Sequence, residues 1–235
     1  MDSKKIRTIA TIAMLSAAAY VFLYFSKSLL PPIVPIPPLR YDPKDIFILI
    51  GGFLYGPLVV IPMSVVVSLI EMVTISTSGP FGLLMNVVST CAFVLPATII
   101  YRKMRSIKGA VIGLAAGVLT VTPVMLLWNY IIMPIYWVML AGHEGLAANP
   151  DLLAESRARV AGMLVPTLLP FNMLKAALNA TVTMLIYKPL LTALRKMRML
   201  PQDDEKGKMS IIVILASLFA VATTVLLTLV FMGVI

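Results

Sequence analysis

Charged residues and cysteine are both scarce in this 235-residue chain. Charged side chains make up 12% of the sequence and hydrophobic ones 60%, whereas soluble domains carry about 25% charged residues. The single cysteine, Cys91, excludes a disulfide or a cysteine metal cluster within one chain. The single histidine, His143, lies in a polar stretch, where a solvated side chain is more common than a metal ligand. A P-loop motif for ATP hydrolysis is also missing.

Long apolar runs identify the chain as an integral membrane protein of the all-α class. Several runs reach about 20 residues, the length that a membrane-spanning helix requires. The sequence predicts a six-helix domain over residues 1–200, a polar linker over 201–209 and an additional transmembrane helix over 210–235. The six predicted helices run approximately over residues 6–29, 45–56, 57–74, 82–101, 109–140 and 162–194, and a further short helix is expected after Pro150.

A polar face interrupts the sixth predicted helix. Asn172, Lys175 and Asn179 have the spacing i, i+3, i+7, which places them on one side of a helix. A lysine near the bilayer centre costs about 2.5–3.5 kcal/mol on insertion scales, so such residues usually face a bundle interior or a ligand. Asn129 on the fifth helix is predicted to lie at a similar depth. Two amides, an ammonium group and nearby aromatic residues suit a flat heteroaromatic ligand.

An alternative interpretation of this polar face is ordinary packing. Lys175 would then extend to the membrane interface, and the amides would bridge neighbouring helices. Glu71, near the end of the third helix, is expected at the interface, and no acidic partner for Lys175 is evident in the sequence.

The first loop, residues 30–44, is rich in proline, which excludes helix and favours an extended chain. It has two interpretations, a lid over a site or a rigid connector. Asp42 or Asp45 is expected to cap the short helix that follows.

Basic residues favour a cytoplasmic N-terminus. Most lysines and arginines fall in segments that lie on one side of the membrane when the N-terminus is inside. The chain is therefore predicted to be a multi-pass protein of the cell membrane. The net charge of +9 is explained by this topology rather than by nucleic-acid binding.

Several motifs in order resemble those of one transporter family. They are Tyr41-Asp42-Pro43-Lys44-Asp45, Gly79-Pro80-Phe81-Gly82 with Asn86, Asn129-Tyr130 with Pro134-Ile135-Tyr136, and Pro170-Phe171-Asn172 with Lys175. Over about residues 1–200 the chain resembles the substrate-binding S components of energy-coupling factor (ECF) vitamin transporters, in particular the riboflavin-specific ones.

The resemblance implies that the chain captures riboflavin, or FMN or a flavin analogue, from outside, with no cofactor of its own. It implies binding by Asn129, Asn172 and Lys175, with the first loop as a lid. Further candidates for contacts with the ligand come from the resembling motifs: Tyr41, Asp42, Gly79, Asn86 and Tyr136.

The resemblance also implies partners. A transmembrane coupling (T) component would dock on a small-residue face of helix 1, where Ala13 and Ala17 form a small-xxx-small pair. Two cytosolic ABC-type ATPases would drive transport. Residues 211–235 depart from the family pattern, because the family core ends after six helices.

Three alternatives lie outside the riboflavin assignment. An S component for another vitamin is compatible with the same motifs. A stand-alone secondary transporter is disfavoured because no internal repeat and no intramembrane charge relay are evident. A membrane enzyme is disfavoured because the sequence shows no paired acids or histidine cluster for acid–base or metal chemistry.

Overall fold

The structure, a computed structural model, describes residues 3–33, 39–140, 150–197 and 199. Within these residues the regular structure is helical, which confirms the predicted all-α class. The predicted linker over 201–209, the additional helix over 210–235 and part of the proline-rich loop lie outside the described residues.

The described part of the chain contains six continuous helical segments, the last of which consists of two helices. The helices are α1 (Ser3–Leu29), α2 (Lys44–Tyr55), α3 (Val60–Thr74), α4 (Gly79–Met104), α5 (Ile107–Leu140), α6 (Pro150–Met163) and α7 (Leu169–Lys196). A 3₁₀ turn, Pro57–Val59, leads into α3, and a π-helical turn, Leu164–Leu168, joins α6 to α7 without a break. All of these segments except α2 contain a stretch that is long and apolar enough to cross a membrane.

α2 differs from the other segments because it is short and enclosed. Its 12 residues extend about 18 Å at 1.5 Å per residue, which is less than the roughly 30 Å of a bilayer core. Every residue from Lys44 to Gly52 is buried against the surrounding helices. A helix that is apolar all round is expected in such a position. It ends where predicted, at Gly56, whose φ of 95° suits glycine, and Pro57 then starts the next segment.

Two expectations about helix ends are corrected. Neither Asp42 nor Asp45 is the N-cap of α2, because Pro43 occupies that position. Asp42 Oδ1 instead accepts a hydrogen bond from the Lys44 N–H at 3.2 Å. The short helix expected after Pro150 is present as α6, but it is not separate from the last predicted helix, since it continues through the π turn into α7.

α4 and α5 pack with their backbones in close approach. A Cβ at Gly113 would lie 2.5 Å from the carbonyl oxygen of Ala97, and a Cβ at Gly117 would lie 2.4 Å from that of Phe93. Both distances are shorter than any normal contact, so this approach requires glycine at both positions. The spacing Gly-x-x-x-Gly is a known signal for close helix packing in membranes. The pair holds α4 and α5 at a fixed separation.

We predict that Gly117→Ala destabilises the protein. The added methyl group must displace backbone, and overpacking of this kind costs about 1–3 kcal/mol. The midpoint of thermal unfolding in detergent should fall by roughly 3–10 °C. Gly162→Ala on α6 is the matched control, because a Cβ there has no neighbour within 4 Å. Equal unfolding midpoints for the two variants would contradict this account of the α4–α5 contact.

Candidate ligand-binding site

A cavity of about 640 Å³ opens between the ends of several helices. This volume lies within the roughly 300–1,000 Å³ of small-molecule sites. The wall comes from α1, the loop before α2, the α3–α4 connection, α4, α5, the π turn and α7. The lining residues are Lys27, Ser28, Leu39, Arg40, Asp42, Ile75, Ser76, Thr77, Ser78, Met85, Asn86, Ser89, Met125, Asn129, Leu168, Phe171, Asn172 and Lys175.

The structure brings together five of the candidate residues from the sequence. Asn129 of α5, Asn172 and Lys175 of α7, Asn86 of α4 and Asp42 of the first loop all line this cavity. The predicted convergence of polar groups from the last two helices is therefore present in the fold.

Asn129 and Asn172 are held in the same way by their own helices. The Asn129 Nδ2 donates to the carbonyl oxygen of Met125, and the Asn172 Nδ2 donates to that of Leu168, both at 2.7 Å. No further hydrogen bond of either amide occurs within the described ranges. Each amide therefore keeps its oxygen and one N–H for a ligand.

The π turn supports the position of Asn172. In this turn the N–H of Leu169 donates to the oxygen of Leu164, one residue further back than in an α-helix. Pro170 follows and has no N–H to donate. The Asn172 side chain donates a hydrogen bond to the carbonyl oxygen of Leu168, the last residue of the turn. Both residues line the cavity. Turns of this type are frequent at functional sites.

Lys175 has an acidic neighbour that sequence reasoning missed. Its Nζ lies 3.6 Å from Asp42 Oδ2, and its side chain is 14% exposed. The two residues are 133 positions apart in the chain, so only the tertiary fold shows the pair. The expectation that Lys175 lacks an acidic partner is corrected.

Asp42 and Asp45 anchor the start of α2 to the bundle. Lys44, which is fully buried, donates through its ammonium group to Asp42 Oδ2. Asp45 accepts from the Thr90 hydroxyl of α4 at 2.6 Å, and Asn179 of α7 donates to the Asp42 carbonyl oxygen at 2.9 Å. These contacts satisfy polar groups that are costly to bury alone. Sequence analysis missed the roles of both residues, because the burial of Lys44 and the pairing of Thr90 with Asp45 depend on the fold.

Glu71 is buried rather than interfacial, which corrects the sequence-based expectation. Its side chain is 1% exposed and accepts hydrogen bonds from two cavity residues on other helices. Lys27 of α1 donates to Oε1, and Asn86 of α4 donates to Oε2 at 2.7 Å. The carboxylate therefore joins α1, α3 and α4 behind the cavity wall and orients the Asn86 amide.

The remaining candidate residues lie outside the cavity wall. Tyr41 is partly buried, and its carbonyl oxygen accepts from the Ser26 hydroxyl at 2.8 Å; burial raises the pKa of its phenol. Tyr136 packs against Phe81 with ring centroids 5.5 Å apart. Gly79 begins α4 with a φ of 52°. Their contributions to ligand binding stay predictions.

Comparisons with known proteins agree with the resemblance seen in the motifs. The family described as ECF transporter, substrate-specific component, matches residues 7–187. The chain belongs to this family. It is therefore the substrate-specific (S) component of a transporter and not an enzyme, and it is a multi-pass membrane protein.

Two relatives match about four fifths of this S component. The riboflavin transporter RibU of Staphylococcus aureus (strain TCH60) is 28% identical over 199 residues, which are 83% of this chain and 96% of RibU. The riboflavin transporter FmnP of Bacillus subtilis (strain 168) is 28% identical over 187 residues, which are 78% of this chain and 91% of FmnP.

A solved structure shares the fold. It is described as the structure and mechanism of the S component of a bacterial ECF transporter, and it superposes with a TM-score of 0.60 at 28% sequence identity. The match covers 81% of this chain and 99% of the solved chain.

We predict that Glu71→Ala strongly destabilises this S component. The change leaves the Lys27 ammonium and the Asn86 amide without their acceptor, and removal of one partner from a buried pair typically costs about 3–5 kcal/mol. The midpoint of thermal unfolding in detergent checks this. Glu155→Ala serves as the control, because Glu155 is exposed on α6. If both variants unfold at the same temperature as the unaltered chain, Glu71 does not hold the helices together.

Proposed function

We propose that this S component binds riboflavin on the external side of the membrane and delivers it to the cytoplasm with an ATP-driven coupling module. The observation that carries the proposal is the meeting of Asn129, Asn172 and Lys175 in one cavity of about 640 Å³. The names of the two relatives as riboflavin transporters support the same ligand.

The chemistry of the wall suits the flavin ring. The isoalloxazine edge alternates carbonyl oxygens with one ring N–H, so it needs both donors and acceptors. Each of the two asparagines has an oxygen and one N–H uncommitted among the described residues, and Lys175 supplies an ammonium donor. Phe171 and Met125 add apolar surface to the same wall.

Other residues of the same cavity wall suit the sugar-alcohol chain of riboflavin. They include the hydroxyl-bearing residues Ser28, Ser76, Thr77 and Ser78, together with Lys27 and Arg40. Hydroxyl groups and cationic donors pair well with a polyol.

FMN is a second candidate ligand for the same cavity. Arg40 donates through Nη1 to the carbonyl oxygens of Lys27 and Leu30, each at 2.9 Å. Among the described residues, Arg40 forms no ion pair with an acidic side chain. Its guanidinium group can therefore bind the phosphate of FMN through charge-assisted hydrogen bonds. An FMN titration beside the riboflavin titration separates the two ligands.

We place the N-terminus of this chain in the cytoplasm. The cavity is formed where α1 and α3 end and α4 begins, so it lies at the end of the bundle remote from the start of α1. The opposite end carries Arg102 and Lys103 at the close of α4 and Arg195 and Lys196 at the close of α7. Basic residues favour the cytoplasmic side, which leaves the cavity open to the outside.

The proposed partners are a transmembrane T component and two cytosolic ABC-type ATPases. Ala13 and Ala17 are exposed one turn apart on α1, so their small side chains present a face on which another helix can pack closely. We propose this face as the docking surface for the T component.

Riboflavin titration of the purified protein, followed by quenching of flavin fluorescence, tests the ligand. We expect Lys175→Ala to weaken binding by about tenfold to a hundredfold, since a hydrogen bond from a charged donor is lost. The fold should persist because Asp42 keeps Lys44 as its partner.

The titration needs three controls. Lys103→Ala removes an exposed lysine and should bind as the unaltered chain does. Thiamine and biotin should give no competition with riboflavin. Unchanged affinity in Lys175→Ala would reject this residue as a ligand contact, whereas absence of quenching by the folded, unaltered chain would reject riboflavin itself.

Docking is tested by Ala13→Leu. The larger side chain should block close helix approach, so vitamin uptake by cells that contain the complete transporter should fall while riboflavin binding by the isolated S component is retained. Ala115→Leu on the exposed side of α5 is the matched control and should transport normally. Full transport by Ala13→Leu would remove α1 as the docking face.

A further inference from the structure

One carboxylate oxygen near the cavity is shared by two lysines. Asp42 Oδ2 accepts a hydrogen bond from the Lys44 ammonium group, and the Lys175 ammonium nitrogen lies 3.6 Å from the same oxygen. Lys175 lines the cavity, whereas Lys44 does not. Both lysines therefore interact with the same carboxylate, but of the two only Lys175 faces the cavity.

The two contacts with Asp42 are not equivalent. Lys44 is fully buried and bonds Asp42 through both its ammonium group and its backbone N–H. Lys175, at 3.6 Å, lies beyond the usual 2.7–3.2 Å of an N–H···O hydrogen bond. No hydrogen bond of the Lys175 ammonium group is found in the part of the chain that the structure describes. Its N–H groups thus stay available to a ligand, while Asp42 already has a close cationic partner.

We infer that Lys44 is a positioning residue for ligand binding. By neutralising the Asp42 carboxylate, it leaves the Lys175 ammonium group available to the ligand. This inference rests on the proposed function. Without Lys44, the buried Asp42 carboxylate would have Lys175 as its nearest cation. A movement of less than about 1 Å would close the 3.6 Å separation to a charge-assisted hydrogen bond. That bond would compete with the ligand for the same ammonium group.

The Lys44 charge also acts on Glu71 and Asp45, but these carboxylates have hydrogen-bond partners of their own. Asp45 accepts from the Thr90 hydroxyl at 2.6 Å and faces the Asn179 amide at 3.5 Å. Glu71 accepts from Lys27 and Asn86. Removal of Lys44 therefore weakens the positive field at all three carboxylates, whereas Asp42 also loses its bonded ammonium group.

A double-mutant cycle in riboflavin affinity tests the inference. Lys44→Met is made in the unaltered chain and in an Asp42→Asn background, and dissociation constants are measured by flavin quenching. We expect Lys44→Met to weaken binding about tenfold or more in the unaltered chain. In the Asp42→Asn background, where no carboxylate attracts Lys175, the same change should cost less than about threefold.

A role of Lys44 in packing alone would give equal losses in both backgrounds, and that result would overturn the inference. Unchanged affinity of Lys44→Met would also overturn it. Lys103→Met controls for the substitution itself, because Lys103 is exposed. Thermal unfolding checks that each variant is folded.

Lys44→Gln provides a second route if Lys44→Met gives no folded protein. Glutamine keeps a hydrogen-bond donor for Asp42 but removes the positive charge, and the same comparison across the two backgrounds applies. Riboflavin binding by the unaltered chain distinguishes the proposed function from the role of Lys44. Failure of the unaltered chain to bind riboflavin contradicts the proposed function, whereas binding without coupling between positions 42 and 44 contradicts only the role of Lys44.

Discussion

The fold depends on the pairing of three buried carboxylates inside an apolar bundle. Asp42, Asp45 and Glu71 are each no more than 5% exposed, and an isolated charge in such surroundings is very costly. Each carboxylate obtains its partners from elements distant in sequence or from the turn that begins α2. The groups that satisfy these charges also connect α1, α2, α4 and α7. The requirement to pair charge therefore fixes how the helix ends meet, and the cavity lies where they meet.

The sequence predicted the class, the six helical segments and the central polar residues of the cavity. Hydropathy and helical spacing are local signals, so Asn172 and Lys175 could be placed on one helix face without a structure. The Gly113-x-x-x-Gly117 pattern is also local, but no prediction was made from it, and the structure shows that it meets the backbone of α4. Each of these features depends on residues that are close in the chain.

Features that depend on distant residues were missed. Asp42 and Lys175 lie far apart in the chain. Glu71 was expected at the interface from its position near a helix end, and its partners, Lys27 and Asn86, belong to other helices. The burial of Lys44 was also missed, because the helices that enclose it are distant in the chain although its partner Asp42 is two residues away. Periodicity describes one element at a time, whereas charge pairing depends on which elements become neighbours.

The π turn before α7 has a consequence for changes in chain length. A π turn holds one residue more than the α turn it replaces, so loss of one residue from Leu164–Leu168 would favour a regular α turn and leave α7 facing the cavity nearly as before. A regular helix has no such reserve: since it advances about 100° per residue, loss of one residue between Asn172 and Lys175 would rotate one of these side chains away from the other. The π turn is therefore the point in this continuous helix at which the number of residues can change while the cavity keeps its chemistry.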